Sequence, residues 1–229
     1  MNKIAIMGAM REEIAPLLEK VENIKEVAYA NNIYYEASYK GKEVVIAYSK
    51  IGKVFSALTA TILIEKFGCK TLLFSGVAGA ISNDLKIGDL IIADGLCQHD
   101  LDITAFGHPH GFVPEGDVCI PTDSKLLEIA SKVSKNRGLK LNKGIIATGD
   151  QFVACGEKKA WIGQIFKADA LEMEGASVAV VCNALNVPFF ILRAISDSAD
   201  GNADMDFDKF LESSAKISAG FILDMVEMI

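Results

Sequence analysis

Residues 189–200 read FFILRAISDSAD, an almost purely apolar run that follows Pro188 and ends in a Ser-Asp pair. A short, continuous apolar run with such edges predicts a central strand that is buried on both faces. Side chains alternate along a strand, so Arg193, Ile195 and Asp197 are expected on one face. Ligands bind at the carboxyl ends of strands in open α/β sheets, which makes Asp197 a candidate functional residue. The alternative is a structural ion pair between Arg193 and Asp197.

The rest of the chain predicts strands and helices mostly in alternation. Apolar runs predict strands at 3–7, 71–75, 89–96, 143–148 and 169–171, and helical spacing predicts helices at 12–22, 52–67, 122–137, 158–166, 176–185 and 206–228. Three strand-like runs at 25–30, 33–39 and 43–48 predict an early antiparallel meander. This order favours one α/β domain over residues 1–229, with a central mixed, mostly parallel, twisted sheet flanked by helices.

Composition excludes several classes of partner. The net charge of −7, with no basic cluster, argues against binding to nucleic acid or to an anionic membrane surface. Five scattered cysteines without a Cys-x-x-Cys motif are typical of a reducing compartment. The N-terminal apolar run is too short for a signal peptide, and Asn183, Asn186 and Pro188 interrupt the most apolar window. We therefore expect a cytoplasmic protein.

The three histidines are close in sequence but do not predict a metal site. His99, His108 and His110 lie within or beside a long segment at 97–120 that is rich in Gly, Pro and Asp. They lack the helical spacing with Cys or Glu that supports zinc binding, so a solvated loop is expected. Loops of this length in a compact domain are usually functional or used in contacts.

Acidic residues follow several of the predicted strands. Glu13, Glu174 and Asp197 are predicted to converge on one pocket, where mutual repulsion would keep at least one of them protonated near neutral pH. A protonated acid beside an ionised one suits glycoside cleavage, because one protonates the leaving group while the other deprotonates water. A third carboxylate can accept hydrogen bonds from a ribose diol. Each acid taken singly could instead be an ordinary helix N-terminal residue.

Glycine-rich segments follow two of the strands, at 8–10 and 76–80. Glycine allows a ligand to approach the backbone closely, so Val77, Ala78 and Gly79 are candidate binding residues. Neither segment matches GxGxxG or GxxxxGK[ST], so a nucleotide-phosphate site is only weakly supported.

Six motifs together carry a family resemblance. They are GAMREE at 8–13, SKIGKV at 49–54, SGVAGA at 75–80, GDQF at 149–152, LEMEG at 171–175 and RAISDSAD at 193–200. In this order, from residue 2 to about 225, the chain resembles the purine nucleoside phosphorylase/uridine phosphorylase superfamily. Within it the chain is most similar to the 5′-methylthioadenosine/S-adenosylhomocysteine nucleosidases.

The resemblance implies a homodimeric enzyme that needs no cofactor or metal and hydrolyses the N-glycosidic bond of 5′-thioadenosines, releasing adenine, as in methionine salvage. Further candidate substrates are 5′-deoxyadenosine and 6-amino-6-deoxyfutalosine, the latter cleaved by relatives in an alternative menaquinone route. One alternative is a phosphate-dependent phosphorylase of the same fold. Another is a non-catalytic nucleoside-binding sensor.

The resemblance also implies residue roles. Glu13 would activate water, Asp197 would protonate adenine N7, and Arg193 would position the water and the acids. Glu174 and the Met173 backbone would hold the ribose hydroxyls. Phe152 and the Val153 backbone would contact adenine. The ribose and the 5′-substituent would be lined by Met10, Ile51 and Phe207. The partner subunit's pocket would be contacted by Ile103 and Phe106. Residues 107–116 and 199–207 would shape the 5′ end.

Two positions favour hydrolysis over phosphorolysis. Phosphorylase relatives bear an arginine where this chain has Phe74, and an arginine-bearing phosphate loop where it has Glu12 and Glu13. Carboxylates repel phosphate, whereas one of them can activate water. The chain also has Val77 where many nucleosidases have serine, so the polar contact of that serine is not expected here.

Overall fold

The computed structural model describes residues 3–199 and 203–229, and the side chains of residues 203–206 and 209 lie outside that description. The strands in this part are β1 (Ile4–Gly8), β2 (Glu22–Tyr29), β3 (Asn32–Tyr39), β4 (Lys42–Tyr48), β5 (Thr71–Ala80), β6 (Leu90–Gln98), β7 (Cys119–Pro121), β8 (Leu141–Thr148), β9 (Ala168–Glu172) and β10 (Phe189–Asp197). The helices are α1 (Arg11–Leu18), α2 (Lys53–Glu65), α3 (Ser124–Arg137), α4 (Gly156–Phe166), α5 (Gly175–Ala184) and α6 (Ala203–Met228).

All these strands belong to one mixed sheet, as predicted. Strand β1 pairs in parallel with β4 and β5, and β5 pairs in parallel with β10. The predicted meander is present as the antiparallel order β2-β3-β4. Strand β5 also pairs with β9, so that β5, β10, β6, β8 and β9 close into a ring. Half of the ten pairings in the described ranges are parallel, five of each kind.

Apolar side chains cover both faces of the sheet because successive strand residues point to opposite sides. In β1, Ile6 packs in the cluster that contains Leu17 of α1 and Phe221 of α6. Its neighbour Met7 packs instead with Leu63 of α2 and Val178 of α5. The α/β architecture with helices on both sides of the sheet is thereby confirmed.

Several predicted boundaries differ from the structure. Helix α1 ends at Leu18, four residues before its predicted end, and β2 begins at Glu22. Strand β5 does not stop at Ser75 but continues through the glycine segment to Ala80, because β10 and β9 both pair with that segment. The long segment at 97–120 contains the last two residues of β6, a short 3₁₀ turn at Thr104–Phe106 and the first two residues of β7.

Two further findings bear on the sequence analysis. In the described ranges no helix is both long and apolar enough to traverse a bilayer. The cysteines all lie in these ranges and are free thiols.

Candidate active site

The carboxyl ends of β1, β5, β9 and β10 surround a cavity of about 270 Å³. The residues that line it are Ala9, Met10, Glu13, Ile51, Val77, Ala78, Gly79, Gln151, Phe152, Val153, Leu171, Glu172, Met173, Glu174, Ser196, Asp197 and Phe207. The structure therefore brings together Glu13, Glu174 and Asp197, whose convergence the sequence analysis predicted. Every predicted site residue except Arg193, Ile103 and Phe106 lines this cavity.

Glu13 is fixed by backbone amides from two strand ends. It is the third residue of α1, and its Oε2 accepts hydrogen bonds from the amides of Ala9 (2.5 Å) and Met10 (3.1 Å). Its Oε1 accepts from the amide of Val77 in β5 (3.1 Å). Burial raises the pKa of Glu13, and the charge of Arg193 and these amides offset only part of that rise. The carboxyl group is thus held in one orientation with a pKa above its ordinary value.

Glu174 lies immediately before α5, and its Oε1 accepts from the amide of Gly52 at the start of α2 (2.8 Å). The pKa of Glu174 is raised to about 8. Burial is the largest cause of this rise, and the charge of the neighbouring Glu172 carboxylate is the second. Near neutral pH this carboxyl group therefore keeps its proton in most molecules.

This raised pKa makes stability depend on pH. Between the ordinary value of 4.5 and about 8, the folded chain holds a proton at Glu174 that the unfolded chain has released. Stability therefore falls as pH rises through that window. Glu174→Gln removes this titration. We therefore expect the Tm of Glu174→Gln relative to that of the wild type to be about 5 °C higher at pH 8 than at pH 5.

Thermal denaturation across this pH range checks that expectation, with the exposed Glu157→Gln as the matched control. A Tm difference between Glu174→Gln and the wild type that stays constant, or shrinks, as pH rises would contradict it.

Arg193 pairs with Glu172, a residue to which the sequence analysis gave no role. Nη2 of the buried Arg193 donates to Glu172 Oε2 at 2.6 Å, and its guanidinium carbon lies 4.1 Å from the centroid of the Phe74 ring. The alternative of a structural Arg193–Asp197 ion pair is therefore wrong. Phe74, whose position the resemblance contrasts with an arginine of phosphorylases, packs against this guanidinium group.

Glu172 connects the cavity to the start of α5. Its carboxylate accepts from the amides of Glu174 (3.1 Å) and Gly175 (2.7 and 3.0 Å) and from the hydroxyl of Thr148. A carboxylate in this position is favoured by the helix dipole and by the amides left unpaired at the helix N-terminus. The signal in the sequence was the pair of acids in Glu172-Met173-Glu174, of which only the second was given a role.

Asp197 lies at the end of β10, where the strand register is irregular between Ile195 and Asp197. The simple alternation expected from residue 193 to 197 therefore does not hold. Its Oδ1 accepts from the amide of Ala199 (2.8 Å), and Ser196 Oγ donates to its Oδ2 (2.9 Å). A Cβ at Gly79 would lie 2.7 Å from Asp197 Oδ1, so only glycine permits this approach of β5 to the carboxyl group.

Apolar residues supply the rest of the cavity. The rings of Phe152 and Phe207 meet edge to face with their centroids 5.7 Å apart. Phe152 is 49 % exposed, so one of its faces is available to a planar ligand. Within the described residues no Arg, Lys or His lines the cavity. Of the residues expected to shape its 5′ end, 200–202 and the side chains of 203–206 lie outside the described residues.

The sequence analysis missed some of the lining, namely Ala9, Gln151, Leu171, Glu172 and Ser196. Ala9, Gln151, Glu172 and Ser196 directly adjoin predicted residues inside the quoted motifs, and Leu171 begins the LEMEG motif. Ile103 and Phe106 lie outside the cavity, and Phe106 is 81 % exposed.

Comparison with known proteins defines the class. Residues 3–227 match the family model described as the phosphorylase superfamily, and the chain belongs to that family. The resemblance carried by the six motifs is thereby confirmed.

Relatives within the family are more specific. The chain is 60 % identical to the aminodeoxyfutalosine nucleosidase of Campylobacter jejuni over 99 % of each chain. It is 38 % identical to the 5′-methylthioadenosine/S-adenosylhomocysteine nucleosidase of Actinobacillus succinogenes over 98 % of each. A solved structure of the 5′-methylthioadenosine/S-adenosylhomocysteine nucleosidase from Helicobacter pylori, with butyl-thio-DADMe-Immucillin-A, is also similar. It superimposes with a TM-score of 0.97 at 50 % identity and covers 100 % of this chain and 99 % of that one. These names agree with the predicted class, an enzyme that hydrolyses N-glycosidic bonds.

Proposed function

We propose that this chain is one nucleosidase domain, residues 1–229, that hydrolyses the N-glycosidic bond of adenine nucleosides with a modified 5′ position. The substrates are 5′-methylthioadenosine, S-adenosylhomocysteine and 6-amino-6-deoxyfutalosine, with 5′-deoxyadenosine as a further candidate. The observation that carries the proposal is a cavity with four carboxyl groups in its wall and no basic residue among its described lining. The ionised carboxylates of such a wall favour a cationic, oxocarbenium-like sugar, and the described lining offers no cation to phosphate.

In the proposed mechanism the bond between C1′ and adenine breaks with its electron pair leaving on the base. Asp197 donates a proton to adenine N7, which neutralises the departing base. Water bonds to C1′ through its oxygen and gives a proton to Glu13. The raised pKa of Glu13 suits this step, because a general base is most effective when its pKa approaches the working pH.

The other predicted residues bind the nucleoside. Glu174 and Met173 hold the ribose diol, while Phe152 and Val153 contact adenine. Met10, Ile51 and Phe207 surround the ribose and the 5′-substituent, and Val77, Ala78 and Gly79 form the wall behind the sugar. Arg193 acts through Glu172, whose carboxylate also binds the amide of Glu174 and so orients the ribose site.

Adenine release in phosphate-free buffer tests the proposal. We expect release from 5′-methylthioadenosine at a rate that added phosphate does not increase, measured by chromatography of adenine. A strict requirement for phosphate would identify a phosphorylase instead. A stable complex with intact nucleoside and no adenine would identify a non-catalytic binding protein.

A homodimer in the cytoplasm completes the proposal. Its support is a set of exposed apolar side chains, of which Ile51, Val54, Phe55 and Leu58 lie in or just before α2 and Phe106 lies in the 97–120 segment. Exposed apolar residues that lie in one region are typical of an interface. The free cysteines agree with a reducing compartment.

Phe106→Asp tests the dimer. A carboxylate in place of this ring would have to be buried unpaired at the interface, so we expect a monomer at micromolar concentration and a raised KM for methylthioadenosine. Sedimentation velocity measures the first effect and steady-state kinetics the second. Ile24→Asp, which changes an exposed apolar residue on β2, is the control. A wild-type chain that sediments as a monomer would refute the dimer.

A further inference from the structure

A second recess lies between the tip of the β2–β3 hairpin and the start of α1. It has a volume of about 670 Å³ and is lined by Arg11, Ala28, Tyr29, Ala30, Asn31, Asn32, Ile33, Tyr48 and Lys50. Asn32 Nδ2 donates to the carbonyl of Tyr48 at 2.7 Å and thereby joins the hairpin tip to the end of β4. None of these residues has a part in the mechanism above.

Two cations face this recess. Arg11 Nη2 donates to the hydroxyl of Tyr48 at 3.2 Å. Lys50 Nζ donates to the carbonyl of Asn31 at 3.1 Å and lies 4.9 Å from the centroid of the Phe55 ring. Neither cation forms an ion pair with any carboxylate in the part of the chain that the structure describes. The carboxylate of Glu12 acts on Arg11 only through space, so both cations remain available to bind an anion.

The recess adjoins the active-site cavity at two points of the chain. Arg11 directly follows Met10, and Lys50 directly precedes Ile51; Met10 and Ile51 both line the active-site cavity. Consecutive Cα atoms are only about 3.8 Å apart, so each cation is one residue from the cavity wall. Met10 and Ile51 are the residues proposed above to contact the 5′-substituent. The two cations are thus the immediate chain neighbours of the residues proposed to contact the 5′-substituent.

Resting on the proposed nucleosidase function, we propose that Arg11 and Lys50 form a carboxylate-binding subsite for the 5′-substituent of the nucleoside. A guanidinium and an ammonium group are the two side chains suited to bind a carboxylate. S-adenosylhomocysteine ends in an amino-acid carboxylate, and the aromatic substituent of 6-amino-6-deoxyfutalosine bears a benzoate. 5′-Methylthioadenosine has no charge at this end. The subsite thus determines which 5′-substituents are favoured and takes no part in bond cleavage.

Steady-state kinetics of Arg11→Gln, Lys50→Gln and the double variant on these three nucleosides test the proposal. We expect each single variant to lower kcat/KM for the two carboxylate substrates by about threefold to tenfold through KM, with kcat unchanged. For methylthioadenosine we expect kcat/KM to change less than about twofold, because the methylthio group carries no charge for the cations to attract. Arg11→Lys and Lys50→Arg, which keep the charge, restore most of the loss. The exposed Lys132→Gln on α3 is the matched control for a change of net charge.

The outcomes separate this inference from the function on which it rests. Equal effects on all three nucleosides, or no effect on the carboxylate substrates, overturn the subsite while leaving the nucleosidase function intact. Loss confined to S-adenosylhomocysteine or to aminodeoxyfutalosine supports the subsite and identifies the carboxylate that it receives. If the wild type releases no adenine from any of the three, the proposed function fails and the inference fails with it.

Discussion

Asp197→Asn is expected to lose most of the turnover, by about 10²–10⁴-fold, while the affinity for nucleoside changes far less. Asparagine has the shape of aspartic acid, and its carbonyl oxygen can still accept from the amide of Ala199. It has no acidic proton to give to adenine N7, so the base would have to leave as an anion. The variant therefore separates proton donation from binding.

Single-turnover release of adenine measures the chemical step of Asp197→Asn, and calorimetric titration with methylthioadenosine measures its binding. Asp208→Asn, at an exposed position in α6, is the matched control and is expected to behave as the wild type. Near wild-type turnover of Asp197→Asn would remove this residue from the role of acid. Loss of binding together with turnover would assign it to substrate binding.

Glu13→Gln is expected to bind nucleoside tightly and to turn over about 10²–10⁴-fold more slowly, because an amide cannot take a proton from water. The structure adds a second consequence. Both oxygens of Glu13 accept hydrogen bonds from backbone amides, and the Gln side chain must place an NH₂ group against one of these donors. We therefore also expect a lower Tm, since a buried amide would lose its acceptor.

The adjacent Glu12→Gln is the matched control for Glu13→Gln, because Glu12 is exposed on the same turn of α1. Rapid-quench measurement of adenine release, with a parallel thermal denaturation, distinguishes the catalytic effect from the structural one. Unchanged turnover in a folded Glu13→Gln would show that another group activates water.

The elements of the fold were largely predictable from the sequence because apolar periodicity reports which face of a strand or helix is buried. The central strand at 189–197 is an example, since its apolar run is buried at every position. Strand β4 is another, since its apolar residues from Val44 to Ala47 are buried. The extent of β5 was not predictable. Its glycine segment lacks the β-branched and aromatic residues typical of strands, and it is extended because β10 and β9 pair with it.

The candidate site, too, was only partly predictable from the sequence. Local sequence indicated Glu13, Glu174 and Asp197, because each acid follows an apolar strand. The partner of Arg193 was not predictable, because Glu172 is 21 residues away and comes near only because β5 pairs with both β10 and β9.

The sequence by itself determined the α/β class, the family and the acids that the proposed chemistry requires, because these depend on residue type and on spacing along the chain. Only the tertiary structure decided which charges meet. It paired Arg193 with Glu172, held Glu13 with amides from the end of β1 and from β5, and brought Arg11 and Lys50 to one recess. The physical reason is that burial and electrostatic interaction depend on distance through space, and the pairing of strands sets those distances.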